Sequence, residues 1–185
     1  MAIDKITTPA IADDAVTNAK VSYNNNPFRN IIINGDMSIA QRATSQASIT
    51  SSGYFTIDRY RTGYVGLGTW TQSQSTDVPT GQGFAKSLKM DCTTADGSPA
   101  AGDQLNIQTK FEGQNLQYLK KGTSSAESTT MSFWVKSAKT GTYVVVLADM
   151  DNTRAISKSY TISSANTWEK KTVTFPGDTT GAFGN

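Results

Sequence analysis

From Phe28 onward the chain is dominated by short stretches in which apolar and polar residues alternate. Side chains of a strand point alternately to opposite faces, so this period of two predicts strands. Eight segments are predicted from it, separated by turns rich in Gly, Ser, Thr and Asn: 54–61, 64–75, 84–92, 104–111, 129–136, 142–149, 155–162 and 167–175. A ninth strand, 28–34, is predicted from its buried-type run Ile31-Ile32-Ile33. The pattern predicts an all-β protein built as an antiparallel β-sandwich. Residues 115–121 are expected to form one helical turn or a loop, and 38–43 an irregular crossover.

Residues 1–27 have a different pattern and contain neither Trp nor Gly. Pro9 suits the first position of a helix, and a short helix from Pro9 to about Lys20 is predicted. Its apolar residues form a narrow stripe suited to packing against copies of itself: Ile11, Ala12, Ala15, Val16 and Ala19. The alternative is an amphipathic leader without a partner. An Asn-rich turn ending at Pro27 separates this attachment or oligomerisation segment from the β domain, 28–185.

The composition restricts the chemistry that the chain can perform. It has no histidine and one cysteine, Cys92, so Ser-His-Asp and Cys-His nucleophile systems and imidazole metal ligands are excluded. We predict that Cys92 is a small buried residue at a strand end. Paired carboxylates could hydrolyse a glycoside without histidine, but the glutamates are few and scattered: Glu112, Glu127 and Glu169. We therefore expect no enzymatic activity and no cofactor.

The charge pattern restricts the partners. The formal net charge is +2, and no run of five like charges occurs, so neither nucleic acid nor an anionic membrane surface is an expected partner. There is no apolar stretch of roughly 18 residues and no leader-like beginning, and membrane insertion is not expected. The expectation is a soluble product made in the cytoplasm.

Three motifs carry a family resemblance: NIIINGDMSIAQR at 30–42, YFTIDRY at 54–60 and SFWVK at 132–136. In this order they resemble the jelly-roll parts of bacteriophage tail fibres and related virion proteins. The stretch IADDAVTNAKV at 11–21 also resembles repeats in the shafts and attachment ends of phage fibres, which are usually trimeric. The resemblance implies a β-jelly roll like that of carbohydrate-binding modules. It also implies further strands after 167–175, so that the domain is expected to be truncated here or completed by another chain.

The functional expectations follow from this resemblance. It implies a homotrimeric virion structural protein of the phage tail, made in the host cytoplasm, that is a tail fibre or the virion-attached portion of one. Its partners would be copies of itself, other virion tail proteins and a host surface glycan. The alternative is a capsid or tail decoration protein that cements subunits and binds no glycan.

A glycan site would need exposed aromatic rings beside amide and carboxylate groups, because sugar C–H faces stack on rings and hydroxyls need paired donors and acceptors. The candidate rings, with Gln72, Gln74 and Asp58 near some of them in sequence, are Trp70, Tyr64, Tyr54, Tyr60 and Trp134. Most large aromatics of a sandwich lie in its core, so packing or subunit contact is the alternative for each of them. Trp168 and Tyr160 are assigned to packing.

Three polar motifs are interpreted as structural. Asp58-Arg59 is expected to form an ion pair or a hydrogen-bonded corner, and Asn34-Gly35-Asp36 a turn that tolerates positive φ. Asp149-Met150-Asp151-Asn152 alternates oxygen ligands but lacks the glycine and the distant glutamate of a calcium loop. It is predicted to be a hairpin turn, and no metal site is predicted.

Overall fold

The computed structural model describes residues 30–181, and the chain divides into two units at Ile33/Asn34. The predicted helix between Pro9 and Lys20 lies outside the described residues, as does its apolar stripe: Ile11, Ala12, Ala15, Val16 and Ala19. Among the described residues, no helix combines the length and the apolar character that a bilayer crossing requires.

Nine strands and one 3-10 helix, Gly113–Leu119, make up the regular structure of residues 30–181. The strands are β1 (Ser45–Ile49), β2 (Tyr60–Val65), β3 (Thr69–Ser75), β4 (Ser87–Thr94), β5 (Gln104–Thr109), β6 (Thr129–Val135), β7 (Gly141–Asp149), β8 (Arg154–Ile162) and β9 (Glu169–Phe175). They form a three-stranded sheet, β1-β3-β4, and the two-stranded ladders β2-β5, β6-β9 and β7-β8. Every one of these pairings is antiparallel. The predicted all-β antiparallel sandwich is confirmed, whereas a jelly-roll connection of the strands stays a prediction.

In the first half of the domain, a buried polar network joins β2 to β3. The side chains of Thr56, Thr62 and Gln72 are completely buried. The side-chain oxygen Oε1 of Gln72 accepts hydrogen bonds from the Thr56 backbone N–H at 3.1 Å and from the Thr56 hydroxyl at 2.7 Å. Its amide nitrogen donates to the Thr62 hydroxyl at 2.9 Å. Because the oxygen and the nitrogen of the Gln72 amide both have hydrogen-bond partners, this half of the domain can bury an amide at little energetic cost.

Aromatic and aliphatic side chains form the core of the second half. The rings of Phe133 and Tyr160 meet edge to face with centroids 5.1 Å apart, and Tyr143 stacks on Tyr160 at 5.7 Å. On β9, Val173 and Phe175 are buried on one face of the strand. The packing role predicted for Tyr160 is confirmed.

The strands β4 to β9 lie where the alternation predicts them, within a few residues at each end. The predicted helical turn at 115–121 overlaps the 3-10 helix, and 38–43 is irregular as expected. The strand β1 was not predicted, because its sequence SQASI is short and has only two apolar residues, Ala47 and Ile49.

The predicted strand 54–61 is wrong except for its last two residues. Thr56 donates its backbone N–H to the Gln72 side chain, and Asp58 donates its N–H to the Ile39 carbonyl at 3.0 Å. These donors are bonded to groups distant in sequence, and the segment forms bends and turns instead of a strand before β2.

Two other predicted strands are also corrected. Residues 30–34 form no strand, because the chain turns at Asn34 and Met37, whose φ angles are 57° and 58°. The predicted strand 64–75 is divided into β2 and β3 by a Gly-Leu-Gly turn whose glycines have φ of 62° and 65°. Positive φ costs glycine little, and this turn lets the two strands belong to different sheets.

Cys92 is exposed, and the prediction that it is buried is wrong. It lies in β4, which is an edge strand of the three-stranded sheet. The last four residues of β4 are exposed on both faces of the strand, so no other element of residues 30–181 covers the side chains at this end.

Candidate functional site

Asn34 organises a corner made from two of the sequence motifs. Its side-chain nitrogen donates to the carbonyl oxygens of Ile39 at 2.9 Å and Asp58 at 3.0 Å. Its side-chain oxygen accepts the Ile39 N–H at 3.0 Å. Asn is one of the few residues that tolerate the left-handed backbone found here, and its amide both donates and accepts. One side chain therefore links the loop 34–39 to the segment before β2.

The carboxylate of Asp58 completes the corner. It accepts the Gln41 backbone N–H at 3.2 Å, and the Arg42 guanidinium lies 3.6 Å from the same oxygen. Through these contacts and the Asp58 N–H bond to Ile39, the segments 34–42 and 54–60 form one hydrogen-bonded unit. The prediction that Asp58-Arg59 forms a hydrogen-bonded corner is confirmed.

Beside the corner lies an open cleft of about 310 Å³, lined by Gln41, Arg42, Asp58 and Arg59. The Arg42 guanidinium lies over the ring of Tyr54, 5.6 Å from its centroid, and Tyr54 is 40% exposed. Ligand clefts of this size commonly combine an apolar surface with a few convergent polar groups. An exposed ring beside guanidinium, amide and carboxylate groups can bind a sugar by stacking and hydrogen bonding. This cleft, together with Tyr54, which contacts its lining residue Arg42, is our candidate site.

Three of the five predicted rings are buried or hydrogen-bonded to the backbone of the fold. Tyr60 is only 7% exposed, and burial, with a smaller contribution from the charge of Asp36, raises the pKa of its hydroxyl. Tyr64 and Trp70 are partly buried, and both bond the backbone of the turn between β2 and β3. The Tyr64 hydroxyl donates to the Gly68 carbonyl, and the Trp70 indole N–H to the Leu67 carbonyl, each at 2.5 Å. These contacts favour the packing interpretation for all three rings.

Trp134 lies on the solvent-facing side of the β6-β9 ladder, away from the buried Val173. The register places it opposite Lys170, and its neighbours on that face are exposed hydroxyl residues: Thr130, Ser132, Thr172 and Thr174. The ring is partly exposed. Of the five candidates, Tyr54 is the exposed one, and Trp134 is a partly exposed ring on a different part of the domain.

Trp168 takes part in a polar contact that sequence reasoning did not predict. Its indole N–H donates to the Asp77 carboxylate at 3.0 Å, and the Lys136 ammonium lies 5.7 Å from its ring centroid. Lys136 also forms an ion pair with Asp77. Hydrogen bonds from Lys136 and then Trp168 hold the pKa of Asp77 below its ordinary value. The contact joins the loop after β3 to the end of β6 and to the residue before β9.

Sequence reasoning also missed Gln41, Arg42 and Arg59 as cleft residues. Gln41 and Arg42 end the first motif and Arg59 is in the second, so the motifs themselves were the available signal. No spacing rule indicates that two loops 17 residues apart in sequence share a carboxylate.

No group of three or more His, Cys, Asp or Glu side chains within residues 30–181 is placed to hold a metal ion. The exposed hairpin turn Asp149 to Asn152 is instead closed internally, because the Asn152 amide donates to the Asp149 carboxylate at 2.9 Å. Comparison with known proteins gives no match to a protein-family model, to a curated protein or to a solved structure.

Proposed function

We propose that this protein is a structural protein of a phage virion, a tail fibre or the virion-attached portion of one, and that it contributes to host attachment. One observation carries the proposal. The residues behind the resemblance are scattered in sequence, yet those of 34–42 and 54–60 bond to one another and line one cleft, next to which Tyr54 is exposed. A resemblance whose residues form a single structural unit is more informative than isolated motif matches.

In this proposal the segment 1–27 assembles three copies and docks them on other tail proteins. Each copy presents a Tyr54 cleft to a host surface glycan. A single cleft of this size binds weakly, but three or more contacts on one particle combine through effective concentration into firm adsorption. The protein acts as a binding and structural component, without catalysis and without a cofactor.

A second candidate function is a decoration protein that cements the subunits of a capsid or tail. It is favoured by one face of the β7-β8 ribbon, which is exposed and uncharged and on which Val144 and Val146 are 57% and 53% exposed. Such a face suits contact with another protein better than contact with a sugar.

The two candidates are separated by locating the protein on the particle. Antibodies raised against the purified chain would be applied, with a gold label, to virions whose genome encodes it. We expect label at the tail. Label spread over the capsid would favour the decoration protein, and unlabelled particles would contradict both candidates.

The assembling role of 1–27 has its own measurement. Light scattering of the full chain is expected to give three times the chain mass, and Val16→Asp to reduce it, because a charge would interrupt the apolar stripe. Thr17→Asp, next to the stripe, is the matched control and should keep the mass of the trimer. A monomeric full chain would contradict the fibre proposal.

A further inference from the structure

Within the candidate cleft, the one carboxylate is already engaged by the fold. The Asp58 side chain accepts a backbone N–H and lies next to the Arg42 guanidinium, and it is mostly buried. Its backbone carbonyl and N–H are bonded to Asn34 and Ile39. The Oδ1 atom of Asp58 is therefore committed to the fold, and the search for a group that recognises a ligand turns to its neighbours.

Arg59 is such a group. It is exposed, its backbone has a φ of 75°, and its one hydrogen bond among the described residues is a long one, 3.5 Å to the Lys110 carbonyl. No carboxylate of residues 30–181 lies within ion-pair distance of its guanidinium. A guanidinium carries five N–H donors in a planar fork that matches a carboxylate. Most of these donors are free.

The net charge of the cleft also favours an anionic ligand. Its lining contains two guanidiniums, one carboxylate and one amide, which gives a net charge of +1 from +2 and −1. Arg42 is held against Tyr54 and Asp58, so its charge is partly neutralised in place. Arg59 supplies the charge that is not balanced.

We infer that the cleft binds an acidic sugar whose carboxylate pairs with Arg59, and that the exposed ring of Tyr54 beside the cleft offers a stacking surface for the same saccharide. The inference rests on the proposed attachment function and deepens it. Arg42 connects the two groups, since it lines the cleft together with Arg59 and its guanidinium lies over the Tyr54 ring. A phosphate ester on a saccharide offers related oxyanion chemistry and is separated from the carboxylate in the test.

The test uses the full chain and a panel of immobilised bacterial polysaccharides, each presented in its native form and after chemical reduction of its carboxylates to alcohols. Four variants are compared with the unmodified chain. Arg59→Gln removes the charge, and Tyr54→Ala removes the ring. Lys139→Gln is the matched control for an exposed cation, and Tyr118→Ala is the control for an exposed tyrosine, since Tyr118 is 50% exposed on the 3-10 helix.

We expect binding to native acidic polysaccharides that is lost on carboxylate reduction and that weakens with added salt. Arg59→Gln should lower the affinity about tenfold or more, as expected for charge-assisted hydrogen bonds. Tyr54→Ala should lower it about fivefold or more through the loss of stacking. Both control variants should bind as the unmodified chain does.

Each other result has a defined meaning. Equal binding to native and reduced polysaccharides, lowered by Tyr54→Ala, would overturn the acidic sugar and leave glycan attachment standing. Binding that survives carboxylate reduction and is displaced by inorganic phosphate would overturn the carboxylate in favour of a phosphate. Binding unaffected by both cleft variants would overturn this cleft as the site, and no binding across the panel would overturn glycan attachment together with the inference.

Discussion

At the scale of single residues, Gln72 shows how a polar side chain can stabilise an interior. It occupies a position on β3 where alternation places an inward-facing residue, and it has no exposure to solvent. A buried amide is costly unless its groups are bonded, and both its oxygen and its nitrogen are bonded to threonines. The stabilising effect of this residue depends on its partners and not on its hydrophobicity.

We expect Gln72→Leu to lower the free energy of unfolding by about 2–4 kcal/mol, although leucine is apolar and of similar size. The reason is that the Thr56 N–H and two threonine hydroxyls would stay buried without their partner. Urea denaturation measures the change. Gln82→Leu, at an exposed position, is the control and should alter stability by no more than about 0.5 kcal/mol. A Gln72→Leu variant as stable as the unmodified chain would contradict this account.

At the scale of elements, the β7-β8 ribbon has an unprotected surface. The two strands pair without interruption from Gly141↔Ile162 to Asp149↔Arg154. One face carries eight exposed, uncharged residues: Thr142, Val144, Val146, Ala148, Ala155, Ser157, Ser159 and Thr161. Within residues 30–181, β7 is hydrogen-bonded to β8 alone, so its other edge is open. Exposed edges without lysine, proline or a bulge readily pair with further strands.

We expect Val144→Lys to reduce self-association, because a lysine on an exposed edge strand opposes pairing with a second copy. The stability of the chain should fall by less than about 1 kcal/mol, since the valine is already exposed. The measurement is the average mass by light scattering over a tenfold range of concentration. Val65→Lys is the matched control, because Val65 is 48% exposed on β2 and should leave association unchanged. Equal association of both variants would count against β7.

At the scale of the whole molecule, a cluster of four charges ties distant segments of the domain together. Lys121, after the 3-10 helix, pairs with Asp149 at the end of β7 and lies 3.7 Å from Asp178. Arg154 at the start of β8 pairs with Asp178 at 2.5 Å. The Lys121 and Asp149 side chains are 10% and 9% exposed, so this pair is shielded from solvent in a way that surface pairs are not.

The hydrogen bonds of Lys121 and then of Asn152 lower the pKa of Asp149 to about 2, from an ordinary value of 3.8. A folded-state pKa below the unfolded one adds stability above the unfolded pKa, and this stability is lost as the pH falls towards the folded pKa. We therefore expect the domain to lose about 2 kcal/mol between about pH 5 and pH 2 from this group.

The measurement is urea denaturation across this pH range. Asp149→Asn should be less stable by a similar amount near neutral pH, and its difference from the unmodified chain should shrink as the pH falls, because asparagine has no proton to gain. Asp151→Asn, in the same turn but exposed, is the control and should keep the acid slope of the unmodified chain. An unchanged slope in Asp149→Asn would contradict the role of this carboxylate.

Several features could be predicted because they depend on neighbouring residues only. Alternation locates β4 to β9, and turn residues locate most of the connections between them. Alternation does not predict β1, whose residues are mostly polar. It wrongly predicts a strand at 54–59, where backbone N–H groups are hydrogen-bonded to residues distant in sequence. In the candidate site, Tyr54 was one of five candidate rings, and no local signal distinguished it from Tyr60, which is buried.

The sequence by itself was thus sufficient to predict an all-β antiparallel architecture and to exclude histidine-dependent chemistry. Periodicity and composition are properties of the sequence alone, so neither conclusion needs the tertiary structure. The burial of each face was decided by pairing between strands far apart in sequence. That pairing put Gln72 inside the domain and left Cys92 exposed. It also joined Gln41, Arg42, Asp58 and Arg59 into one cleft. The exposure of a side chain and its distance from residues elsewhere in the sequence are set only when the strands pair and their faces pack together.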